Sequence, residues 1–459
     1  MAQTLSNFDN VLKINYEGPI REQLTQEQVL LAHIVTDTTR TTFRGKQTLI
    51  PIHTGRNTGR GARAEQGTLP TAGNQSHQNA IYNMAYNYGR ISITGQTIEA
   101  SKDNAGSFAR AVDVEMKGLA RDLKRDFNRQ LWHAGEGLLT HCSVTANKTT
   151  IQVLNTKFIE PGMIIDLRQV NDGSLAVANS FSLTVSTVPN ATTFTVATTN
   201  MTTIANDGVY LAGSRDVTGA TVNDWDTPHE MWGLDAIVNN ANPAVNYWDG
   251  EAFQAKNGFT TTESIENRLG QLDAGDITAW QGNMIDASAE VWDDDLDQFQ
   301  RAYDESEIEG ESSPGLILTS HAMRRAYGKQ LQPLRRYGDK VTLASGWSGL
   351  EFNNGVVIAD RDASHAWNPA NSNTLTGGGG SAESAYGFNA VYFIAPSSLE
   401  YHVLKELAWE DMGGILVRAG VGTLGVDEYE AFMKQYTNLI CTRRNANTVL
   451  LGDPDTADV

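Results

Sequence analysis

Between Ala80 and Gly137 the chain reads AIYNMAYNYGRISITGQTIEASKDNAGSFARAVDVEMKGLARDLKRDFNRQLWHAGEG, and the spacing of its apolar residues changes partway from two to three and four. In the first part Tyr82, Met84, Tyr86 and Tyr88 alternate, which predicts a strand carrying them on one face. After Gly89 the apolar set moves to Ile91 and Ile93. Strand side chains alternate faces, so this shift predicts a bulge or a change of environment at the glycine. In the second part Phe108, Val112, Met116, Leu119, Leu123, Phe127 and Leu131 form the narrow apolar stripe of a helix. Asp103 or Asn104 can cap its start, and Gly135 and Gly137 can end it. Roughly thirty residues would make a rod of about 45 Å, longer than most globular helices and suited to lying across other elements.

On the N-terminal side, QTLIPIH (Gln47–His53) predicts a partner for the strand run Ala80–Gly95. The connection, Thr54–Asn79, is rich in Gly, Asn, Gln and Arg, so the whole reads as a long hairpin with an extended tip. A two-stranded ribbon of that length cannot bury both faces in its own domain, and it is expected to lie on a partner. Residues 1–39 read as an arm with one short helix around Gln23–His33 and too little apolar content to stand alone.

On the C-terminal side, residues 140–216 are rich in threonine and valine. EPGMIIDLRQ, a turn at NDGS, FSLTVSTV, a turn at PNAT and TFTVAT predict a small β-barrel or sandwich inserted in the chain. From 217 onward the pattern is mixed. A helix is expected over Met284–Tyr303, with Ile285, Trp292, Leu296, Phe299 and Tyr303 on one face. PGLILTS predicts a buried strand and HAMRRAYGKQL a helix, while strands at NGVVIAD and NAVYFIAPS flank the glycine-rich loop NSNTLTGGGGSAES. EYEAFMKQYTNLICTRRNANTVL supplies a final strand or two, and the fold class is α+β.

At 459 residues the chain exceeds what one hydrophobic core normally serves, so two or three regions are expected. Its 40% hydrophobic and 19% charged residues fit a folded chain. No window approaches the ~18–20 unbroken apolar residues of a membrane helix. The N-terminus lacks a basic segment leading into an apolar one, so a signal peptide is not expected and the cytoplasm is the expected site of synthesis. Cys142 and Cys441 then read as buried thiols. Acids outnumber bases 54 to 35, for a net charge of −19, which argues against gripping a phosphate backbone.

Motifs for chemistry fail on inspection. GVGTLG (Gly420–Gly425) matches a dinucleotide fingerprint in spacing, but the basic CTRRN stands where an acid is needed, so a loop is the expected reading. SGWSG is not G-x-S-x-G and reads as a turn. The nine histidines are scattered singly, without zinc-ligand spacing. WDDDLDQF (Trp292–Phe299) reads as a helix with Asp293, Asp294, Asp295 and Asp297 toward water. No catalytic residue, cofactor or metal is therefore assigned. Glu290–Glu311 nevertheless holds ten acids against one base, Arg301, and charge so dense is unfavourable without a basic partner surface. The hairpin supplies one: Arg44, Lys46, Arg56, Arg60 and Arg63, with Glu65 the only acid nearby. Arg56, Arg60 and Arg63 are read as docking on acidic surface of a neighbouring subunit, with Asp293, Asp294, Asp295 and Asp297 as counterparts; a solvated loop tip is the alternative.

The order arm, arginine-bearing hairpin, long helix ending WHAGEG, β-rich insert, mixed region with GLILTSHAMRRAYGKQL and closing strand resembles the Hong Kong 97-type major capsid protein of tailed phages. The resemblance spans nearly the whole chain and is carried by element order, not by a single string. It implies an N-terminal arm at 1–39, an extended E-loop at 40–100 and the spine helix of a peripheral (P) domain at 101–139. A P-domain continuation would follow at 217–310, an axial (A) domain at 311–425 and a return to the P domain at 426–459. The insert at 140–216 departs from the minimal fold. The implied function is a coat protein that assembles as hexamers and pentamers into a shell around double-stranded DNA, without sequence-specific DNA binding. A separate scaffolding protein, a portal and a decoration protein are the implied partners. Two other readings are an encapsulin-like compartment and a surface protein whose insert binds carbohydrate. Against the latter, residues 143–205 hold Phe158, Phe181 and Phe194 but no Trp or Tyr.

Overall fold

The computed structural model describes residues 29–100, 111–133, 135, 137–142, 145–153, 155–168, 180–197, 201–203, 207–214, 229–238, 269–270, 272, 277–286, 297–331, 341–342, 348–353, 355–363, 389–410, 418–419 and 428–452. They divide into a smaller compact unit within Tyr88–Arg125 and Leu407–Lys434 and a larger one within Gln28–Asn87, Asp126–Glu406 and Gln435–Val459.

Helix α1 (Val29–Asp37) leads to strand β1 (Thr39–Thr42), and the hairpin strands β2 (Thr48–Gly55) and β3 (Ser76–Tyr82) precede β4 (Ala85–Thr94). Helices α2 (Gly95–Ala100) and α3 (Ala111–Trp132) come next. Strands β5 (Leu138–His141), β6 (Thr145–Lys148), β7 (Thr150–Gln152), β8 (Ile164–Arg168), β9 (Leu183–Asn190), β10 (Thr193–Val196), β11 (Met201–Thr203) and β12 (Gly208–Leu211) follow, with no helix between them among the described residues. After α4 (Leu234–Val238) come β13 (Asn283–Asp286), α5 (Asp297–Gly310), β14 (Leu316–Thr319) and α6 (His321–Leu331). The chain continues as β15 (Val341–Thr342), β16 (Ser348–Phe352), β17 (Gly355–Ala359), β18 (Asn389–Ile394), β19 (Leu399–Trp409), β20 (Arg418–Ala419), β21 (Glu428–Cys441) and β22 (Thr448–Gly452). The architecture is α+β.

The larger unit holds two main sheets. One is antiparallel, in the order β5-β12-β8-β9-β10-β7, and buries Ile151, Leu167, Phe194 and Val209 in a core of its own. In β9 buried Leu183 and Val185 alternate with exposed Thr184 and Ser186, the pattern of a strand with one wet face. The other is mixed, β13-β22-β18-β14-β17-β16-β15, with β14 parallel to β17 and antiparallel to β18. All four residues of β14 are buried, as a central strand covered on both faces requires. Phe299 of α5 stacks on Tyr327 of α6 at 5.2 Å and meets Phe352 and Phe393 edge-on, which joins both helices to this sheet.

In the smaller unit, α3 and β4 meet at Gly89. A Cβ there would lie 2.7 Å from Leu123 Cδ1 and 2.9 Å from Leu119 Cδ1, so the missing side chain is what lets the strand approach the helix stripe. The expected shift of face at this glycine is corrected: residues 85, 87, 89, 91 and 93 form one inward face without interruption. The break comes earlier, at Asn83–Met84, between β3 and β4. Tyr82 and Met84 are therefore buried while Tyr86 and Tyr88 are 52% and 59% exposed, and the four do not share a face. The run expected as one strand from Ala80 is two, the first starting at Ser76.

The helix expected over Met284–Tyr303 is also corrected. Ile285 lies in β13, paired in parallel with Leu450 of β22, and the helix described begins at Asp297. An isolated apolar residue that falls on a helical period can equally fill a short buried strand, and here the long-range pairing decides. The described part of α3 has 22 residues, about 33 Å; residues 101–110, with the expected cap, lie outside the described residues. Gly135 and Gly137, at φ +86° and +78°, follow it in the left-handed conformation that ends helices.

Candidate interaction surfaces

The hairpin is held at its foot and bare at its tip. At the foot Ala80 and Tyr82 are fully buried, and the Tyr82 hydroxyl donates to the Cys441 carbonyl at 2.9 Å. Burial pushes both the Tyr82 phenol and the Cys441 thiol upward, the thiol to about 12, so both stay neutral. Antiparallel pairing runs from Thr48↔Tyr82 to Gly55↔Ser76, with His53 and His77 facing each other at 5.0 Å. Beyond it the Asn57 amide donates to the Gly73 carbonyl at 2.8 Å. A Cβ on Gly59 would meet the Gly73 nitrogen at 2.7 Å, so the two arms of the tip touch only because glycines stand there.

The tip itself is a built turn. Arg63 Nε donates to the Thr68 carbonyl at 2.8 Å, the Gly67 nitrogen donates to the Ala64 carbonyl at 2.9 Å, and Gln66 takes φ +64°. Arg56, Arg60 and Arg63 are all exposed, and Leu69 is 83% exposed. Among the described residues nothing covers this end, which leaves Arg60, Arg63 and Leu69 in solvent.

Acidic residues gather on α5 and its exit. Phe299, Ala302, Tyr303 and Ser306 are buried, so helical spacing turns Asp297, Glu307 and Glu309 outward, followed by exposed Glu311. Asp297 at the first turn complements the helix dipole; Glu307, Glu309 and Glu311 stand at the carbonyl end, where negative charge is disfavoured. Ile308, among these acids, is 69% exposed. Arg443 Nη1 donates to the Gly310 carbonyl at 2.6 Å and offsets part of that charge. A cavity of 420 Å³ opens beside this end, lined by Ile52 and Arg56 of the hairpin, Trp280, Glu309, Glu311, Arg443 and Arg444. Arg56 thus faces acids of its own chain, while Arg60 and Arg63 do not line this cavity. Asp293, Asp294 and Asp295 lie outside the described residues.

Several functional supports left no local signal in the sequence. Arg129, 1% exposed, lies between Asp126 at 2.8 Å and Glu230 at 2.5 Å, and the carboxylates hold its guanidinium charged against burial. Asp360 Oδ2 accepts from the Leu30 nitrogen (3.1 Å), Asn128 Nδ2 (3.3 Å) and Trp132 Nε1 (3.1 Å), tying α1, α3 and the end of β17 together. Lys157 reaches Asp362 at 3.5 Å, and burial lowers its pKa. Arg444, fully buried, donates to the carbonyls of Ile237, Ala236 and Trp280. The sequence marks it only as half of a basic pair.

Among the motif candidates, Gly420–Gly425 lies outside the described residues, and Ser348 and Gly349 belong to β16. Cys142 and Cys441 are buried free cysteines. Among the described residues no group of three or more His, Cys, Asp or Glu could hold a metal ion, and no helix is long and apolar enough to cross a membrane.

The hairpin is rooted in an α+β body, and exposed charge stands on both. Comparison with solved structures specifies the fold. The chain aligns with the capsid of cyanophage A-1(L) at a TM-score of 0.54 and 11% identity, over 98% of this chain and 99% of that one. It therefore has the fold of Hong Kong 97-type phage capsid proteins. An encapsulin from Synechococcus elongatus (TM-score 0.44, 8% identity, 98% and 95% covered) and the capsid of cyanophage P-SCSP1u (TM-score 0.44, 11% identity, 98% and 95% covered) also align. No protein-family model and no curated protein matches the sequence.

Proposed function

We propose that this chain is the repeating coat subunit of a tailed-phage head, a structural protein that assembles as hexamers and pentamers into an icosahedral shell around double-stranded DNA and performs no catalysis. The observation that carries this reading is a capsid fold aligned end to end with a phage coat protein, on a chain whose hairpin tip is bare. Residues 1–39 serve as the arm, 40–100 as the E-loop and 101–139 as the spine helix. Residues 217–310 and 426–459 complete the P domain, 311–425 form the A domain, and 140–216 are an inserted β-rich domain. Arg56, Arg60 and Arg63 meet acidic surface between subunits, with Asp293, Asp294, Asp295 and Asp297 among the counterparts. The net charge of −19 suits a wall that lets packaged DNA slide rather than adhere. A scaffolding protein, a portal and a decoration protein complete the virion. Burial between subunits, more than within one, would then set the stability of the particle.

Electron microscopy and sedimentation of the purified chain, alone and with the scaffolding gene of the same phage, test the proposal. Closed shells or capsomers are expected. A compact, protease-resistant monomer at high concentration in both preparations would overturn it, and a shell that packs one enzyme as cargo would make it a compartment protein instead.

A further inference from the structure

We infer that His53 and His77, facing each other across the hairpin, form a two-histidine chelate for a borderline divalent cation: zinc, nickel or copper. In the sequence they are two single histidines with no ligand spacing between them. Antiparallel pairing makes them direct partners, His53↔His77, and their rings stand 5.0 Å apart at a tilt of 38°. Imidazole is a preferred ligand for these metals. Both side chains are exposed, so an ion can reach them and water can fill its remaining positions.

The spacing suits an ion. A zinc–nitrogen bond of about 2.0–2.1 Å puts each ring centre about 3.2 Å from the metal, and a tetrahedral angle then separates the two centres by about 5.2 Å. The 5.0 Å between His53 and His77 is close to this, so the pair needs little movement to close on an ion. The tautomer suits it too. His53 Nε2 lies 2.6 Å from Gln75 Oε1, an atom that only accepts, so the ring proton sits on Nε2 and the lone pair on Nδ1. A ligating histidine that gives its other N–H to a carbonyl oxygen is the arrangement that fixes ring orientation at metal sites. The pair is also held in place beforehand, by the ladder at Ile52↔Gln78 and by Thr54 Oγ1 and Ser76 Oγ at 3.2 Å. Among the described residues no third His, Cys, Asp or Glu joins them, so the ion has two protein ligands and open positions and is exchangeable, unlike that of a closed structural centre. Bound there, it pins β2 to β3 near the outer end of their pairing and stiffens the ribbon between its buried foot and its tip.

Calorimetric titration of zinc chloride into the purified, untagged full chain tests the site. One ion per chain is expected, with affinity lowered at least tenfold by His53→Gln or His77→Gln and unchanged by His229→Gln, at an exposed histidine elsewhere. Copper(II) on the parent chain should show two coordinating nitrogens by electron paramagnetic resonance, and no more than one on either hairpin variant. The measurement on the parent needs no substitution, so it decides even where a variant disturbs the fold. Zinc bound equally well by the parent and by the doubly substituted chain, or a parent copper spectrum with fewer than two nitrogens, overturns the chelate. Neither measurement depends on assembly, so its failure leaves the coat reading standing.

Discussion

At the hairpin tip, Arg60 and Leu69 stand in solvent, and the backbone is held by a glycine turn and the Arg63–Thr68 bond. At the end of α3, Arg129 is enclosed, its guanidinium fixed by Asp126, by Glu230 and by the Leu138 carbonyl at 3.3 Å. The same side chain serves opposite ends. Buried and paired, it locks one conformation, because removing either partner leaves a charge stranded without water. Exposed and unpaired, it contributes little to its own fold and is available to another molecule. The coat subunit proposed above, rigid in its body and adaptable at its margins, would need both.

The contrast predicts its largest effect at Arg129. Arg129→Ala leaves Glu230 buried without its cation and should cost about 3–5 kcal/mol, read as a loss of soluble yield or a lower urea midpoint. Burial already raises the Glu230 pKa, so Arg129→Met with Glu230→Gln should recover much of the loss. A single variant as stable as the parent would show that this end of α3 is wetter than the structure implies.

His133 offers the next test. It follows Arg129 by one helical turn, stands 3.9 Å from Asp235 and has a buried Nε2 without a hydrogen-bond partner. Burial, with Arg129 nearby, pushes its pKa down to about 3. Unfolded, it takes a proton near 6.5, so between these values the unfolded state binds more protons and stability is lost as pH falls. The loss is roughly 1.4 kcal/mol per pH unit in that window. Urea midpoints from pH 7 to 4.5 should fall more steeply for the parent than for His133→Gln, and equal slopes would contradict the burial.

A smaller effect is expected at Gly89. Gly89→Val drives a branched side chain into Leu119 and Leu123 and should cost about 1–3 kcal/mol, part of which Leu123→Ala returns. Thermal unfolding of the single and double variants checks the coupling, and simple additivity would mean that strand and helix do not meet there.

What the sequence discloses is local. The stripe Leu119, Leu123, Phe127 and Leu131, the threonine-valine strands β9 and β10 and the two strands of the tail each carry their period within a dozen residues, and each is found. The misread places depend on residues far away. The break at Asn83 is set by Asn438, whose Nδ2 donates to the Asn83 carbonyl at 2.6 Å, and Ile285 is a strand residue because of Leu450. Arg129 finds Glu230 across 101 positions, a pairing no spacing rule reports. At the candidate surfaces, charge clustering alone exposed Arg56, Arg60 and Arg63. Leu69 and Ile308 are single apolar residues in polar segments, and only their exposure in the folded chain sets them apart.

The smallest effect on stability belongs to the tip, and there the two regions part most clearly. Arg60→Glu with Arg63→Glu removes no buried partner; Arg63 gives up its bonds to the Thr68 and Ala62 carbonyls, both exposed. The urea midpoint of the unassembled chain should stay where it was, whereas the assembly yield collapses. Salt should act in the same selective way: raising ionic strength screens an exposed charge pair between subunits and should slow assembly of the parent, while the Arg129–Glu230 pair, away from solvent, keeps the unfolding midpoint nearly constant. If the reversed tip instead lowered the midpoint, Arg60 and Arg63 would be bound up in the fold of their own chain, and the hairpin would be part of the body rather than a free margin.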